Sequence, residues 1–441
     1  MAQRAIFLGM LGALALAGCE EREVVLPGDR LGVREVLQSQ LVGETVSETQ
    51  SRAISIPAAQ NNSDWAQSFV SPSNRVSNAA LSATPALQWS TNIGEGDGRR
   101  VRLNVDPVAG GGRVYTVDSA HVVRAVSNTG DILWSYDQTP LRDSAEQAQG
   151  GGLAFAGDRL YVASGFGTLT TLDAATGREI WSQKLGNSVT GAPTVRDGVV
   201  YLVSGDQVAW ALEAEDGRIR WQIDGVGDSH NVAGAPAPAV GDKHVIFSFG
   251  NASVQAAFRQ GGLRLWNADI LGRRGGIAIG NVDDITGDPV ISGNTVYAGN
   301  YAGRVVALSL FDGERLWTAR HGAKGAIWPT GDSIFFVSDL NKLVRLDAAT
   351  GEQIWTVDLP FYETSRKPQK RRGRAYTMQG PILAGGRLIV AGSDGLLRSF
   401  DPADGSLTSS IEMPDGATAR PIVAGGTLYI VSAAGDLLAY R

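Results

Sequence analysis

The sequence predicts an all-β fold, an eight-bladed β-propeller of four-stranded antiparallel blades whose ring is closed by an N-terminal strand. Three observations predict it. The phrase "LDAATGREIWSQKL" at 172–185 returns almost unchanged as "LDAATGEQIWTVDL" at 346–359. Its frame, a glycine followed four residues later by tryptophan, recurs at Gly130/Trp134, Gly177/Trp181, Gly217/Trp221, Gly262/Trp266, Gly313/Trp317 and Gly351/Trp355. Before each frame lie short alternating apolar runs separated by glycine-bearing turns, the period-2 pattern of half-buried strands. Four such strands in a repeat of roughly 40–50 residues make a propeller blade.

Composition agrees. The chain has 441 residues, 43% of them hydrophobic, enough for a substantial core. Its 56 glycines against 17 prolines sit mostly in turns between apolar runs, a turn-rich β composition. A formal net charge of −6 argues against a nucleic-acid partner, which needs a basic face. The single cysteine excludes an internal disulfide framework and a cysteine metal cluster.

In chain order, "MAQRAIFLGMLGALALAGC" comes first. Arg4 supplies a basic start, an apolar run begins at Ile6, and small residues follow. This reads as an export signal over 1–18. Leu16-Ala17-Gly18-Cys19 resembles the bacterial lipobox, which makes Cys19 the expected lipid-attachment residue; an ordinary signal with an incidental cysteine is the alternative. Acyl chains add ~0.8 kcal/mol of membrane affinity per buried methylene, so several chains anchor firmly. Residue 20 is Glu, not the Asp that tends to retain such proteins at the inner membrane, so the expected destination is the outer membrane, periplasmic side. Residues 19–85 are polar without sustained periodicity and read as a largely irregular, lipid-anchored tether. "DRLGVREVL" has the composition for a short helix.

The propeller is expected over 86–441. Units begin near Asp106, Gly150, Gly191, Gly234, Gly287, Gly325, Gln379 and Ala419, most with a small-Pro-apolar step such as "DPVA", "APTV" or "RPIV". Within each, the Asp-x-x-x-Gly turn closes the hairpin between third and fourth strands, with glycine free to take positive φ. The tryptophan then packs toward the adjacent blade, where a large ring buries much area. At Gly405 the frame holds but Ser409 replaces tryptophan. The last unit stops after three strands, and "ALQWSTNI" at 86–93 is an orphan strand. Placed beside the last strand, it completes the circle and removes exposed edges.

The repeat resembles the tryptophan-docking propeller of pyrroloquinoline-quinone dehydrogenases, which makes an enzyme the rival reading. Those enzymes add a vicinal cysteine pair, a Glu/Asn/Asp calcium site and a catalytic Asp; here Cys19 is the only cysteine and the chain is shorter. His121, His230, His244 and His321 fall in different units without metal-ligand spacing. "VDDITGD" at 282–288 departs from calcium-loop spacing, and no serine sits in a nucleophile elbow. No catalytic residue, metal or cofactor is expected. A quinoprotein-like dehydrogenase, or a periplasmic ligand binder using the central channel, remains the alternative.

A lipid-anchored eight-bladed ring without cofactor apparatus resembles the BamB family of the outer-membrane β-barrel assembly machinery. The likeness runs from lipobox to Arg441 and is most specific around "IAIGNVDDITGDPVISGNTVYAG" at 277–299. The family there tends to carry Ile-Asp-Arg-Leu-x-Asp-Val-Asp before a Pro-Val strand. Asp284 falls on the first Asp of the final triplet; Thr286 replaces the second, and Gly280 and Asn281 replace the Asp-Arg pair. In the companion loop "DSHNVAGAP", Asn231 stands near a family arginine. The resemblance implies a non-enzymatic periplasmic adaptor that binds the barrel-inserting subunit through its POTRA domains, with steadying of nascent outer-membrane proteins by β-augmentation as a second implied role. Asn231, Asp283 and Asp284 are the implied partner contacts; ordinary inter-blade connections are the alternative.

One stretch escapes the repeat. "YETSRKPQKRRGRAYT" at 362–377 carries six basic residues in nine positions: Arg366, Lys367, Lys370, Arg371, Arg372 and Arg374. In an acidic chain this creates a local positive field. It is a candidate contact for anionic lipid, cell wall or an acidic partner, against the alternative of a solvated loop.

Overall fold

The structure is a computed structural model that describes residues 50–68, 76–225, 236–270, 272, 285, 287–325, 327–363 and 374–441. All lie in one compact unit, Val46–Arg441. The signal peptide, Cys19 and the "DRLGVREVL" segment lie outside the described residues.

The strands form eight four-stranded antiparallel sheets, as the repeat predicts. Blade two is representative. Gly151–Ala156, Arg159–Ser164, Thr168–Asp173 and Glu179–Lys184 pair in sequence order. The first strands of the eight blades are Val108–Gly110, Gly151–Ala156, Thr194–Arg196, Ala239–Val240, Val290–Ser292, Trp328–Thr330, Met378–Ala384 and Ile422–Ala424. First strands contact one another from blade one through blade five and between blades six and seven, and that of blade eight meets that of blade one. They therefore surround the central axis, and the fourth strands form the circumference.

Burial follows this geometry. Second strands such as Val199–Val203 and Thr427–Val431 are buried at every position, because neighbouring blades cover both of their faces. Fourth strands such as Glu179–Lys184 and Leu407–Glu412 alternate exposed and half-buried residues, because only one face meets a neighbour.

The ring closes as the orphan strand requires. Leu87–Asn92 pairs antiparallel with Asp436–Tyr440, with Leu87 opposite Tyr440 and Asn92 opposite Asp436. Ala86 and Arg441 extend the ladder by exchanging backbone hydrogen bonds of 2.9 and 3.0 Å.

The repeated phrase carries shape. The Asp173 carboxylate accepts the Thr176 amide at 2.9 Å and its hydroxyl at 2.7 Å, and the Gly177 amide donates to the Asp173 carbonyl at 2.8 Å. Gly177 has φ 72°, and the Trp134 ring of the preceding blade lies where a Cβ would project, 2.6 Å away. Glycine is required there both for its backbone and for its missing side chain. The same contact pairs Trp89 with Gly130, Trp181 with Gly217, Trp221 with Gly262, Trp266 with Gly313, Trp317 with Gly351 and Trp355 with Gly405. Each indole N–H donates to a backbone carbonyl of the neighbouring turn, at 2.9–3.2 Å.

Because strands alternate in direction, the two ends of the ring differ. First-to-second and third-to-fourth turns gather at one end. Second-to-third turns and inter-blade connections gather at the other.

Candidate functional site

Residues 50–68 and 76–85, assigned from sequence to the tether, are laid against the turn end. Arg52 binds Asp347 at 2.8 Å and Asp332 at 2.9 Å. The buried Arg345 guanidinium donates to the Arg52 carbonyl at 2.6 Å and to the Ala403 carbonyl at 2.9 Å. Asn62 then pairs with blade eight, its carbonyl accepting the Gly425 amide at 2.7 Å and its side chain donating to the Val423 carbonyl at 2.6 Å.

From there the chain turns inward. Trp65 and Ala109 of blade one exchange two backbone hydrogen bonds of 2.8 Å, and the Trp65 ring stacks on Trp328 of blade six at 6.2 Å. The Ala66 carbonyl accepts the Phe155 amide of blade two at 2.7 Å. The Gln67 amide pairs with both backbone groups of Val195 in blade three, and Ser68 donates to Asp288 of blade five at 2.9 Å. Four consecutive residues thus touch five blades, which is possible only inside the central channel. The void left among Trp65, Gln67, Ser68, Asp106, Leu153 and Arg420 is about 10 Å³.

An ionic cluster lies at the same depth. Arg420, just before the first strand of blade eight, binds Asp106 of blade one and Asp288 of blade five. Burial disfavours the Arg420 charge, but the two carboxylates outweigh it and push its pKa above the ordinary arginine value. The guanidinium stays charged and ties opposite sides of the channel together. Asp288 also accepts the Ala237 amide at 2.8 Å. With its acceptors engaged, the cluster offers no free base or nucleophile.

The histidines are dispersed. His121 Nε2 bonds the Ala148 carbonyl at 3.0 Å, His244 packs edge-on against Phe311 and His321 against Phe336. Burial lowers the His244 pKa, with the charge of Lys243 adding to the effect. Among the described residues no group of three or more His, Cys, Asp or Glu is placed to hold a metal.

The residues proposed from sequence for partner contact fall on inter-blade connections. Asn231 belongs to the connection from blade three to four, and Asp283 and Asp284 to that from four to five; all three lie outside the described residues, as do His230, Gly280, Asn281 and Thr286. The basic stretch belongs to the connection from blade six to seven. Arg366, Lys367, Lys370, Arg371 and Arg372 lie outside the described residues, while Arg374 is described and exposed. Its carbonyl accepts the Glu363 amide at 3.2 Å, and Tyr362 bridges Ala375, so the base of this excursion is pinned. The described strands that flank the three connections meet them at the same end of the ring.

Fold comparison alone leaves two candidates level. The crystal structure of BamB from Moraxella catarrhalis superposes with a TM-score of 0.66 at 19% identity, covering 81% of this chain and all of that one (100%). Quinohemoprotein alcohol dehydrogenase from Comamonas testosteroni reaches 0.65 at 17% identity, covering 87% and 81%. These likenesses establish the propeller and nothing finer. Sequence separates them. The family model described as "Outer membrane protein assembly factor BamB" matches residues 119–357 and 343–441. The chain belongs to the BamB family. BamB of Salmonella typhimurium is 28% identical over 363 residues, covering 81% of this chain and 88% of that protein. The Yersinia pestis BamB is 26% identical over 363 residues, with 81% and 89% covered, and the Escherichia coli BamB 25% over 352 residues, with 79% and 86% covered.

The channel-filling residues Trp65, Gln67 and Ser68 were not found by sequence reasoning. The signal available was Trp65, a lone indole in a polar stretch. In the sequence Asp106 and Arg420 stand only as parts of blade-starting proline steps, and Asp288 also as the last residue of the acidic run at 282–288.

Proposed function

We propose that this chain is a non-enzymatic assembly factor for outer-membrane proteins, held at the periplasmic face of the outer membrane through lipid on Cys19. The observation that carries this reading is the BamB family match across the ring, residues 119–441. The filled channel supports it. In a ring with this architecture the axis is the natural place for a small-molecule site, and here Trp65–Ser68 occupy that depth. What remains is a rigid cylinder presenting loops at fixed separation.

The partner in this proposal is the barrel-inserting subunit, engaged through its POTRA domains by the inter-blade connections that carry Asn231, Asp283 and Asp284. The basic connection with Arg366, Lys367, Lys370, Arg371, Arg372 and Arg374 joins strands of blades six and seven that open toward the same end, and in this proposal it meets an acidic patch of that partner or anionic headgroups. The test is affinity capture of the full-length protein from detergent-solubilised native membranes. Retention of the barrel-inserting subunit, lost with Asp284→Arg while the melting temperature is unchanged, is the expected result. A folded, lipidated protein that retains no barrel-assembly subunit sinks the proposal.

A further inference from the structure

Seven blade junctions carry a docked tryptophan, and the junction between blades seven and eight does not. Its outer-strand position is Ser409, opposite Ser399 on the neighbouring strand. The glycine that would receive a ring has a substitute too. Pro85, four residues before Trp89, stands where Gly405 stands before Ser409. Blade eight has no third-to-fourth turn, because its fourth strand arrives from the other end of the chain. Residues 82–85 take the place of that turn, and Arg387 holds them by donating to the Ser82 and Ala83 carbonyls at 2.5 Å each. Arg159 does the same at the junction of blades two and three, donating to the carbonyls of Ala214 and Glu215 at 2.9 and 2.8 Å. The junction is therefore built like the others, with its indole missing.

A cavity of about 750 Å³ opens at this place, lined by Pro85, Leu87, Ile411, Met413, Pro414 and Tyr440 among others. The hydroxyls of Ser409 and Tyr440 in its wall are buried without a hydrogen-bond partner. A serine hydroxyl is a rotor and can turn toward an incoming N–H. At its mouth Leu87 is 43% exposed, so the apolar surface continues outward onto the circumference.

We propose that this eighth junction is a docking site for a tryptophan side chain from a partner polypeptide. The molecule itself shows what the position accepts, since seven equivalent junctions hold an indole over the neighbouring turn. The chain has no spare tryptophan to fill it. Of its ten, seven are docked at junctions and Trp65, Trp210 and Trp328 are buried elsewhere. The cavity exceeds one indole, and Leu87 and Ile411 in its lining suit apolar residues flanking the tryptophan on an extended segment. This site lies at the junction of blades seven and eight, reaching the connection between them at Met413 and Pro414, uses none of the residues of the proposed assembly surface, and stands independently of that reading.

The test uses the full-length protein with labelled Ile and Met methyl groups and an acetylated, amidated peptide Thr-Leu-Trp-Leu-Thr. Saturable shifts of the Ile411 and Met413 methyls are expected, with affinity about tenfold above that of the peptide with alanine in place of tryptophan. Ser409→Trp should fill the cavity from within, abolish the peptide shifts and raise the melting temperature. Equal binding of the alanine peptide, or undiminished binding to folded Ser409→Trp, overturns the proposal. If Ser409→Trp does not fold, Leu87→Glu at the mouth decides: loss of peptide binding supports the site, and retained binding overturns it.

Discussion

Gln67 and Val195 satisfy each other completely: the side-chain amide donates to the Val195 carbonyl at 3.0 Å and accepts the Val195 amide at 2.8 Å. Gln67 is 3% exposed, so no water replaces either bond. Gln67→Leu leaves both backbone groups of a first strand unpaired inside the channel. Each buried, unsatisfied group costs about 1–3 kcal/mol. A drop of at least about 2 kcal/mol in unfolding free energy is expected, with faster proteolysis next to residue 67. An unchanged urea midpoint would show that the pairing contributes nothing.

Arg420 is the only cation bound to both Asp106 and Asp288 among the described residues. Arg420→Met removes the charge while keeping much of the stem, leaving the buried Asp288 and the half-buried Asp106 facing each other. Breaking a fully buried pair by deleting one partner costs about 3–5 kcal/mol, and the partial exposure of Arg420 and Asp106 puts the expected loss at the lower end, about 3 kcal/mol. Asp288→Asn in the same background should recover part of that loss, because it removes the repulsion. Chemical denaturation of the two variants provides the check, and no recovery would refute the electrostatic account.

Gly177→Ala places a methyl group 2.6 Å from the Trp134 ring in a backbone with φ 72°. Non-glycine residues pay about 1–2 kcal/mol for that conformation alone, and the clash adds to it. Trp134→Ala relieves the clash but not the backbone cost. The double variant should therefore be less destabilised than the sum of the two single ones. Strict additivity would mean that the ring and the glycine do not meet.

Acid should weaken the repeated turns. The Thr176 hydroxyl and amide stabilise the Asp173 carboxylate and hold its pKa below the ordinary 3.8. At Asp347 burial pulls upward, but Arg52 and the amides of Thr350 and Ala349 outweigh it and the pKa is again lowered. A depressed carboxylate contributes stability that is fully present above its unfolded pKa and is lost as pH falls through the folded one. Stability should thus hold from neutrality to about pH 4 and decline below it, as carboxylates with lowered pKa values take up protons. Thr176→Val should flatten that decline, measured as the urea midpoint at successive pH values; an unaltered slope would clear Asp173 of any role.

Deleting residues 1–93 removes the fourth strand of blade eight and exposes Asp436–Tyr440 as an open edge. The truncated protein should melt well below the full chain and associate through that edge. A melting temperature equal to that of the full-length protein would show that Leu87–Asn92 is dispensable.

The ring was legible because its physics is periodic. One hairpin turn, one glycine and one indole recur in register, and the absence of a fourth strand after Tyr440 pointed to its substitute at Leu87–Asn92. The channel was not legible, because nothing there repeats. Gln67 and Ser68 are polar since they face backbone amides and a buried carboxylate, and that composition reads like solvent-facing chain. Asp106-Pro107, Asp288-Pro289 and Arg420-Pro421 were visible as turn chemistry. Only the opposite signs of their charges hinted that blades one, five and eight meet at the axis.

Pairing Leu87 with Tyr440 has a consequence for the order of events during synthesis. The chain emerges with Leu87 first, and seven blades can form while that strand has no partner. Its contact spans nearly the whole sequence, so its loop-closure entropy is among the largest in the fold and it forms late. Until the last few residues arrive, blade eight lacks an edge and the seam beside blade seven stands open. Ring closure therefore acts as a length check on the nascent polypeptide. A product interrupted anywhere before residue 436 retains a free strand at its start, a recognisable mark for chaperones and proteases.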